Sequence, residues 1–190
     1  MSGALKKKTF EELYEELLAL PENVVGEIIK GELVVSPRPA SKHARASSSL
    51  GSKIFDAYDE GNTGPGGWWI VDEPEIKFPD DEVVVPDIAG WKRDRVPNYP
   101  DVTQFKRSPD WVCEVLSPST ARYDKISKLK MYAENKVPYY WIVDPQNRVL
   151  EVLSLEGKTY KLELVFGKGD VVKAPPFEKL EFSLSKLWVD

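Results

Sequence analysis

Two short apolar runs of this chain each hold one carboxylate: Asp87 within 85–89 and Glu114 within 111–120. Both runs are rich in Val, Ile, Trp and Leu and read as buried strands, where an isolated carboxylate is expensive to desolvate. A cation shared between the two would compensate them and also do chemistry. Two hard oxygen ligands on neighbouring strands suit Mg²⁺, with waters completing its shell. Taken alone, Asp87 also fits a strand-end carboxylate that accepts backbone hydrogen bonds. Glu114 is harder to explain that way, because Val112, Cys113, Val115 and Leu116 surround it and no basic residue adjoins it.

A helix after the Glu114 strand brings further groups within reach. Glu114 lies two residues before the strand's expected end, about 7 Å at ~3.3 Å per residue. A helix starting near Arg122 and running back over the sheet carries Lys128 down about 9 Å at ~1.5 Å per residue. The two side chains are therefore at similar depth. Lys125 sits one turn nearer the mouth, on the same side as Lys128 and Tyr132. An ammonium there would orient a water, favour its deprotonation or neutralise phosphate charge. The competing reading pairs Asp124 with Lys128 as an ordinary i,i+4 ion pair and makes Tyr132 a packing residue with a wet hydroxyl. His43, the single histidine, falls in the first turn of a helix near Arg38, Lys42 and Arg45, which suits phosphate contact and surface polarity alike. Glu27 and Glu32 belong to a hairpin, and either one extends the metal site or both are exposed strand glutamates.

The elements that must position these groups follow from pattern. Thr9 caps a helix over 10–20, with Glu12 at the capping-box position. A hairpin spans 24–36 around Lys30-Gly31, and Pro37 and Pro39 end its pairing. Ser41 caps a helix over 42–58, stopped by the glycine-rich run 61–67, which lacks the Gly-Lys-Ser/Thr ending of a nucleotide loop. Strands at 68–71, 75–78 and 83–91 form an expected meander. A charged loop over 92–109 leads to the strand 111–116, the Ser117-Pro118-Ser119-Thr120 opening of a helix to about residue 135, and a strand at 139–143. Strands at 149–153, 159–165 and 171–172 suggest antiparallel hairpins, with a closing segment at 180–188. Strand, helix, strand from 111 to 143 is a βαβ-like unit inside otherwise antiparallel pairing, so the expected class is α/β with a mixed sheet flanked by helices.

Composition bounds the rest. A chain of 190 residues, 42% hydrophobic, can bury a sizeable core and suggests one domain spanning 1–190. No apolar run is long enough for a bilayer span and the start lacks a secretory signal, so a cytoplasmic protein without a membrane partner is expected. Cys113, the one cysteine, reads as a small core residue. A net charge of −5 argues against a generally basic surface. Local basic groups remain at Arg38, Lys42 and Arg45, at Lys92, Arg93 and Arg95, at Lys106 and Arg107, and at Arg122 to Lys130.

An ordered set of motifs carries a resemblance. It runs Gly26-Glu27-Ile28-Ile29-Lys30-Gly31-Glu32-Leu33-Val34-Val35-Ser36-Pro37, then His43, Pro86-Asp87, Glu114-Val115-Leu116-Ser117-Pro118-Ser119-Thr120, Asp124, Lys128, Tyr132 and Val137-Pro138-Tyr139-Tyr140-Trp141-Ile142-Val143-Asp144-Pro145. Over most of its length the chain resembles the Uma-two family of bacterial restriction-endonuclease-like proteins, within the PD-(D/E)XK nuclease superfamily. The resemblance implies a restriction-endonuclease-like core in which Asp87 and Glu114 hold Mg²⁺ or Mn²⁺ against a scissile phosphate and Glu27 adds a ligand or water contact. It departs from the superfamily pattern at Leu116, where a lysine is expected; Lys128 from the following helix is the best-matched replacement.

The expected function is metal-dependent hydrolysis of DNA, with Asp87, Glu114 and Lys128 catalytic and Glu27, His43, Lys125 and Tyr132 accessory. The 92–107 loop and Arg38, Lys42 and Arg45 are candidates for backbone contacts that position the duplex without reading its sequence. Cutting two strands is simplest in a homodimer. Two other readings stand beside it: a catalytically silent nucleic-acid-binding or protein-interaction module on the same scaffold, and metal-free glycoside hydrolysis by the two carboxylates.

Overall fold

Strand β7 (Trp111–Val115) shows how this chain divides its core. Side chains alternate across a strand, and here Trp111, Cys113 and Val115 enter one apolar cluster while Val112 enters another on the opposite face. Glu114 has the parity of Val112. The computed structural model describes residues 7–38, 40–118 and 121–189.

The element order is α1 (Phe10–Leu18), β1 (Val24–Ile29), β2 (Glu32–Pro37), α2 (Ser41–Ile54), a π-helical turn (Phe55–Asp59), β3 (Trp68–Asp72), β4 (Ile76–Phe78), β5 (Glu82–Val84), β6 (Ile88–Lys92) and β7. It continues with α3 (Ala121–Tyr123), a second π-helical turn (Asp124–Lys128), α4 (Leu129–Glu134), β8 (Tyr139–Asp144), β9 (Val149–Glu156), β10 (Thr159–Phe166), β11 (Val171–Val172), β12 (Phe182–Ser183) and a 3₁₀ turn (Leu184–Leu187). A six-stranded sheet has the order β10-β9-β8-β7-β6-β3, a four-stranded sheet the order β2-β1-β5-β4, and β11 pairs with β12. Only β7 and β8 pair in parallel among the named strands of the six-stranded sheet. This is the mixed α/β architecture expected from the sequence, with the βαβ-like unit at its centre.

Helix α2 buries Ala46, Leu50 and Ile54 against Trp111, Cys113 and Val115 on one face of the large sheet. Met131 and Tyr132 of α4, with Ile76, Phe78 and Val84 of the small sheet, cover Val112, Tyr140 and Ile142 on the other. Cys113 is fully buried, as a small core residue should be. Thr9 forms the expected capping box with Glu12. Lys30 and Gly31 take positive φ of 54° and 72°, the left-handed pair that a two-residue hairpin turn requires. No described helix is long and apolar enough to cross a membrane.

Several boundaries differ from the sequence reading. The N-cap of α2 is Ala40 and no side chain caps the helix, so Ser41 is its first residue and not its cap. Residues 55–59 continue that helix with wider π geometry. The opening of the third helix at Ser119 and Thr120 lies outside the described residues, as does Pro39. The expected strand at 83–91 is two strands in different sheets, because Pro86 has no N–H for a ladder and the chain crosses there from β5 to β6. The meander is replaced accordingly: β3 pairs with β6, whereas the β4–β5 hairpin joins β1.

Gly90 in β6 allows a close approach on the α2 face. A methyl group built there would lie 3.0 Å from Ile70, 3.2 Å from Trp68 and 3.3 Å from Trp111. Gly90→Val is expected to lower the unfolding free energy by about 1–3 kcal/mol through overpacking, read as a shift of the urea midpoint with an unchanged slope.

Candidate active site

Four elements deliver acidic groups to one cavity. The crossing at Pro86 leaves Asp87 at the start of β6, where its Oδ2 accepts from the Val115 amide at 2.7 Å and its Oδ1 lies 3.2 Å from His43 Nε2. Glu114 projects from β7 on the α4 side of the sheet and is 3% exposed. Glu27 reaches in from β1, and its Oε1 accepts from the Val85 amide at 2.9 Å. Asp124, buried in the second π-helical turn, supplies the fourth carboxylate.

Lys128 joins three of the four. Its Nζ lies 2.9 Å from Glu114 Oε1, 2.9 Å from Glu27 Oε1 and 3.5 Å from Asp124 Oδ1. The residue is 4% exposed. The depth argument from the sequence is thus realised in space, and the i,i+4 pairing of Asp124 with Lys128 is present too, though in the interior and not on a solvated helix face. The hydroxyl of Tyr132 is not wet: it is fully buried and donates to Glu114 Oε1 at 2.7 Å.

The electrostatics of this group are unbalanced. Burial pushes the Glu114 carboxyl well up, the Lys128 ammonium pulls it back, and Asp124, Asp87 and Glu27 push it up again. Burial alone would lower the Lys128 pKa, but Glu114, Glu27 and Asp124 together raise it well above its ordinary value, so the ammonium is held charged. Burial and Glu114 likewise keep the Tyr132 hydroxyl protonated. One fixed cation therefore faces several carboxylates in a low-dielectric pocket.

The cavity is about 60 Å³ and includes Glu27, His43, Asp87, Glu114, Asp124 and Lys128 in its wall, together with Val25, Ser36, Glu73, Val85 and Ser117. Sequence reasoning missed Asp124 as a member; its four-residue spacing to Lys128 was the available signal, and only burial distinguishes it from a surface pair. Glu73 and Ser117 carried no such signal. Other candidates do not line this cavity. Lys125 Nζ bonds both oxygens of Glu151 on β9 at 3.0 and 3.1 Å. Glu32 is exposed at the start of β2. Arg38 pairs with Glu73 at 3.1 Å and bonds the Glu22 carbonyl, while Lys42 and Arg45 are exposed on α2. Lys92, Arg93 and Arg95 follow the other end of β6, about 16 Å along the strand from Asp87; Arg93 is bound to Asp59 and Arg95 to Asp110.

The donor set fits Mg²⁺ or Mn²⁺. Asp87 and Glu114 offer hard carboxylate oxygens in a cavity with excess negative charge, and Mg²⁺ typically takes one or two carboxylates and fills its shell with water and substrate phosphate. Among the described residues no three His, Cys, Asp or Glu side chains form a preformed cage.

The sign of the pH effect follows from the raised Glu114 pKa. In the folded protein this group binds its proton more tightly than in the unfolded chain, so its contribution is present below about pH 4.5 and is lost as pH rises towards the folded pKa. In EDTA, Glu114→Gln is expected to flatten that loss, gaining thermal stability relative to the parent as pH rises from 4.5. Parallel Tm-against-pH curves for the two proteins would contradict the assignment.

Similarity places this geometry among known proteins. Residues 11–185 match the model of the Uma2 family, described as "Putative restriction endonuclease". The crystal structure of a "putative nuclease belonging to DUF820" from Anabaena variabilis is similar with a TM-score of 0.74 and 25% sequence identity, covering 95% of this chain and 97% of that one. No curated protein matches the chain in sequence. The family model spans the elements that carry Glu27, Asp87, Glu114 and Lys128, and the chain belongs to the Uma2 family of restriction-endonuclease-like proteins.

Proposed function

We propose that this protein is a Mg²⁺- or Mn²⁺-dependent endonuclease that hydrolyses phosphodiester bonds of DNA. The observation that carries the reading is the convergence of Asp87, Glu114, Glu27 and Asp124 on one cavity against the single ammonium of Lys128. Such a charge excess is stabilised by a divalent cation and has no evident purpose in a packing core. Family membership supports a nuclease and the nuclease family supports DNA as substrate.

In this mechanism Asp87 and Glu114 are the residues that would hold the metal. When bound, the ion supplies Lewis-acid stabilisation of the charge that builds on the phosphoryl oxygens. The Val115 amide and His43 fix the Asp87 carboxylate, so its orientation is set by these two contacts and not by a free rotamer. Lys128, fixed between Glu27 and Glu114, orients the attacking water and favours its deprotonation. Tyr132 limits the rotation of Glu114 from the buried side. The water oxygen forms a bond to phosphorus as the bond from phosphorus to the sugar oxygen on the opposite side breaks; the proton the water loses passes to solvent, and the departing sugar oxygen takes one from solvent. Lys128 thereby takes the place of the lysine that the strand lacks at Leu116. Arg38 borders a space shared with His43 and Asp87, Lys42 borders a groove shared with His43, and these two, with Arg45 exposed on α2, serve as backbone contacts. Two copies related by symmetry would cut both strands of a duplex.

The test is cleavage of supercoiled, linear and single-stranded DNA in Mn²⁺, Mg²⁺ or EDTA. Cutting is expected with either metal, with loss in EDTA, in Asp87→Asn and in Glu114→Gln. Lys128→Ala is expected to slow the rate by about 10²–10³-fold, with Tm measured alongside because the side chain is buried among carboxylates. Absence of cutting by the folded wild type, or equal cutting by all variants, would favour a silent binding module instead.

A further inference from the structure

The 92–109 loop, charged and proline-containing in sequence, is pinned along its length. Two indole groups of the large sheet hold it: Trp69 Nε1 donates to the Val96 carbonyl and Trp91 Nε1 to the Arg107 carbonyl, each at 2.8 Å. The Phe105 amide donates to the Glu75 carbonyl and the Lys77 amide to the Phe105 carbonyl, also at 2.8 Å. Asp110 closes the base of the loop by accepting from the Lys92 amide at 2.9 Å and from Arg95 at 2.6 Å.

The aromatic rings gathered by this loop do not close on one another. Trp69, Trp91, Tyr99 and Phe105 line a groove of about 480 Å³, a volume within the ~300–1,000 Å³ usual for ligand sites and far larger than the voids of a packed interior. Phe105 stacks on Trp91, with centroids 4.5 Å apart and planes at 18°. Tyr99 stands edge-on to Trp69 at 5.4 Å and to Phe105 at 6.2 Å, and is 50% exposed. Both tryptophan N–H groups are engaged by loop carbonyls, so what these residues offer a ligand is ring surface.

Charge is an independent observation. The charged residues lining the groove are Lys106 and Arg107, and among the described residues no Asp or Glu lines it, in a chain of net charge −5. Arg107 Nη1 donates to the Arg95 carbonyl. Lys106 is exposed, and its ammonium pairs with no carboxylate among the described residues. Flat rings carried on a negatively charged backbone match both features, whereas an apolar peptide matches the rings alone.

We infer that this groove binds unpaired nucleotides of a single DNA strand, with bases stacked against Tyr99 and its neighbours and phosphates beside Lys106. The choice of ligand rests on the nuclease reading, to which the groove adds a second contact with DNA at the end of β6 away from Asp87. Trp91 lies about 13 Å from Asp87 along the strand at ~3.3 Å per residue. Every base has a π-face, so stacking of this kind carries little sequence preference. The loop was already ordered before any strand arrives, which lowers the entropy lost on binding.

The probe is a fluorescein-labelled deoxythymidine decamer, titrated by anisotropy in EDTA against a duplex of the same length. The decamer is expected to bind more tightly than the duplex. Tyr99→Ala is expected to weaken decamer binding about tenfold or more, while Tyr99→Phe, which keeps the ring, binds as the wild type does. In Lys106→Met the slope of log K against log salt is expected to fall by about 0.7. Irradiation of the wild type with a decamer carrying 5-iododeoxyuridine is expected to place the adduct on Tyr99, Trp69 or Phe105, a result independent of how any variant folds. The Tm of each variant is measured alongside.

No decamer binding, no preference over the duplex, or adducts confined to other residues would overturn the inference. So would displacement of a groove-bound dye by thymidine monophosphate without decamer binding, which marks a free-nucleotide site, and a wild-type dimer that Tyr99→Ala dissociates, which assigns the groove to a second copy. The two readings fail separately. Decamer binding lost in Tyr99→Ala, in a protein that cuts no DNA, sinks the nuclease and leaves the groove. Metal-dependent cutting by a protein whose decamer affinity Tyr99→Ala leaves unchanged sinks the groove and leaves the nuclease.

Discussion

A single buried ammonium with three carboxylates around it is the constraint on which the rest of the structure hangs. Lys128 touches β1 of the small sheet through Glu27, β7 of the large sheet through Glu114, and its own π-helical turn through Asp124. Burying these charges is unfavourable unless each is matched, so the two sheets and the helix must meet within hydrogen-bond distance of one nitrogen. The apolar clusters on either side of β7 bring the elements together, but they tolerate small shifts. The ionic centre does not, and it fixes how the small sheet sits over the large one.

The same arithmetic bears on the chemistry proposed for the site. Four carboxyl groups meet one lysine ammonium here, and burial together with their mutual repulsion pushes the Glu114 carboxyl well up. Asp87 stands apart from Lys128, tied to the Val115 amide and to His43, and so keeps a carboxylate beside Glu114 without consuming the ammonium. A family of restriction-endonuclease-like proteins is a natural home for that arrangement. The strand position where the superfamily pattern has lysine is filled by Leu116, which packs in the cluster beneath α4. In the proposed mechanism the charge comes from Lys128 on the helix, while Leu116 on the strand supplies apolar contact.

Much of this was legible in the residues. The hairpin at Lys30-Gly31, the capping box at Thr9, the β7–helix–β8 unit and the burial of the β7 run all follow from local rules, and each was read from the chain. Glu114 was visible because a carboxylate amid Val, Cys, Val and Leu breaks its own pattern. Lys128 was visible through helical rise alone. What escaped was set by distant partners. No local feature tells that Pro86 carries the chain from one sheet to the other, since a β-rich run with a proline also reads as a bent strand. The π-helical turns have no composition of their own. Lys125 shares a face with Lys128 on an ideal helix, yet Glu151 of β9 holds it elsewhere. Arg93 and Arg95 look like free cations until Asp59 and Asp110 are placed beside them.

The displacement of the lysine from strand to helix also bears on when the site comes into being. A lysine two residues after Glu114 would travel with it, and the pair would exist in any short fragment that formed β7. With the lysine on the following helix, and with Glu27 and Asp87 arriving from earlier in the chain, the acidic cavity depends on contacts of long sequence separation, which form late because loop closure must precede them. A nascent or partly unfolded chain therefore has the residues but not the pocket. The pocket is thus a property of the completed fold and of no shorter piece of it.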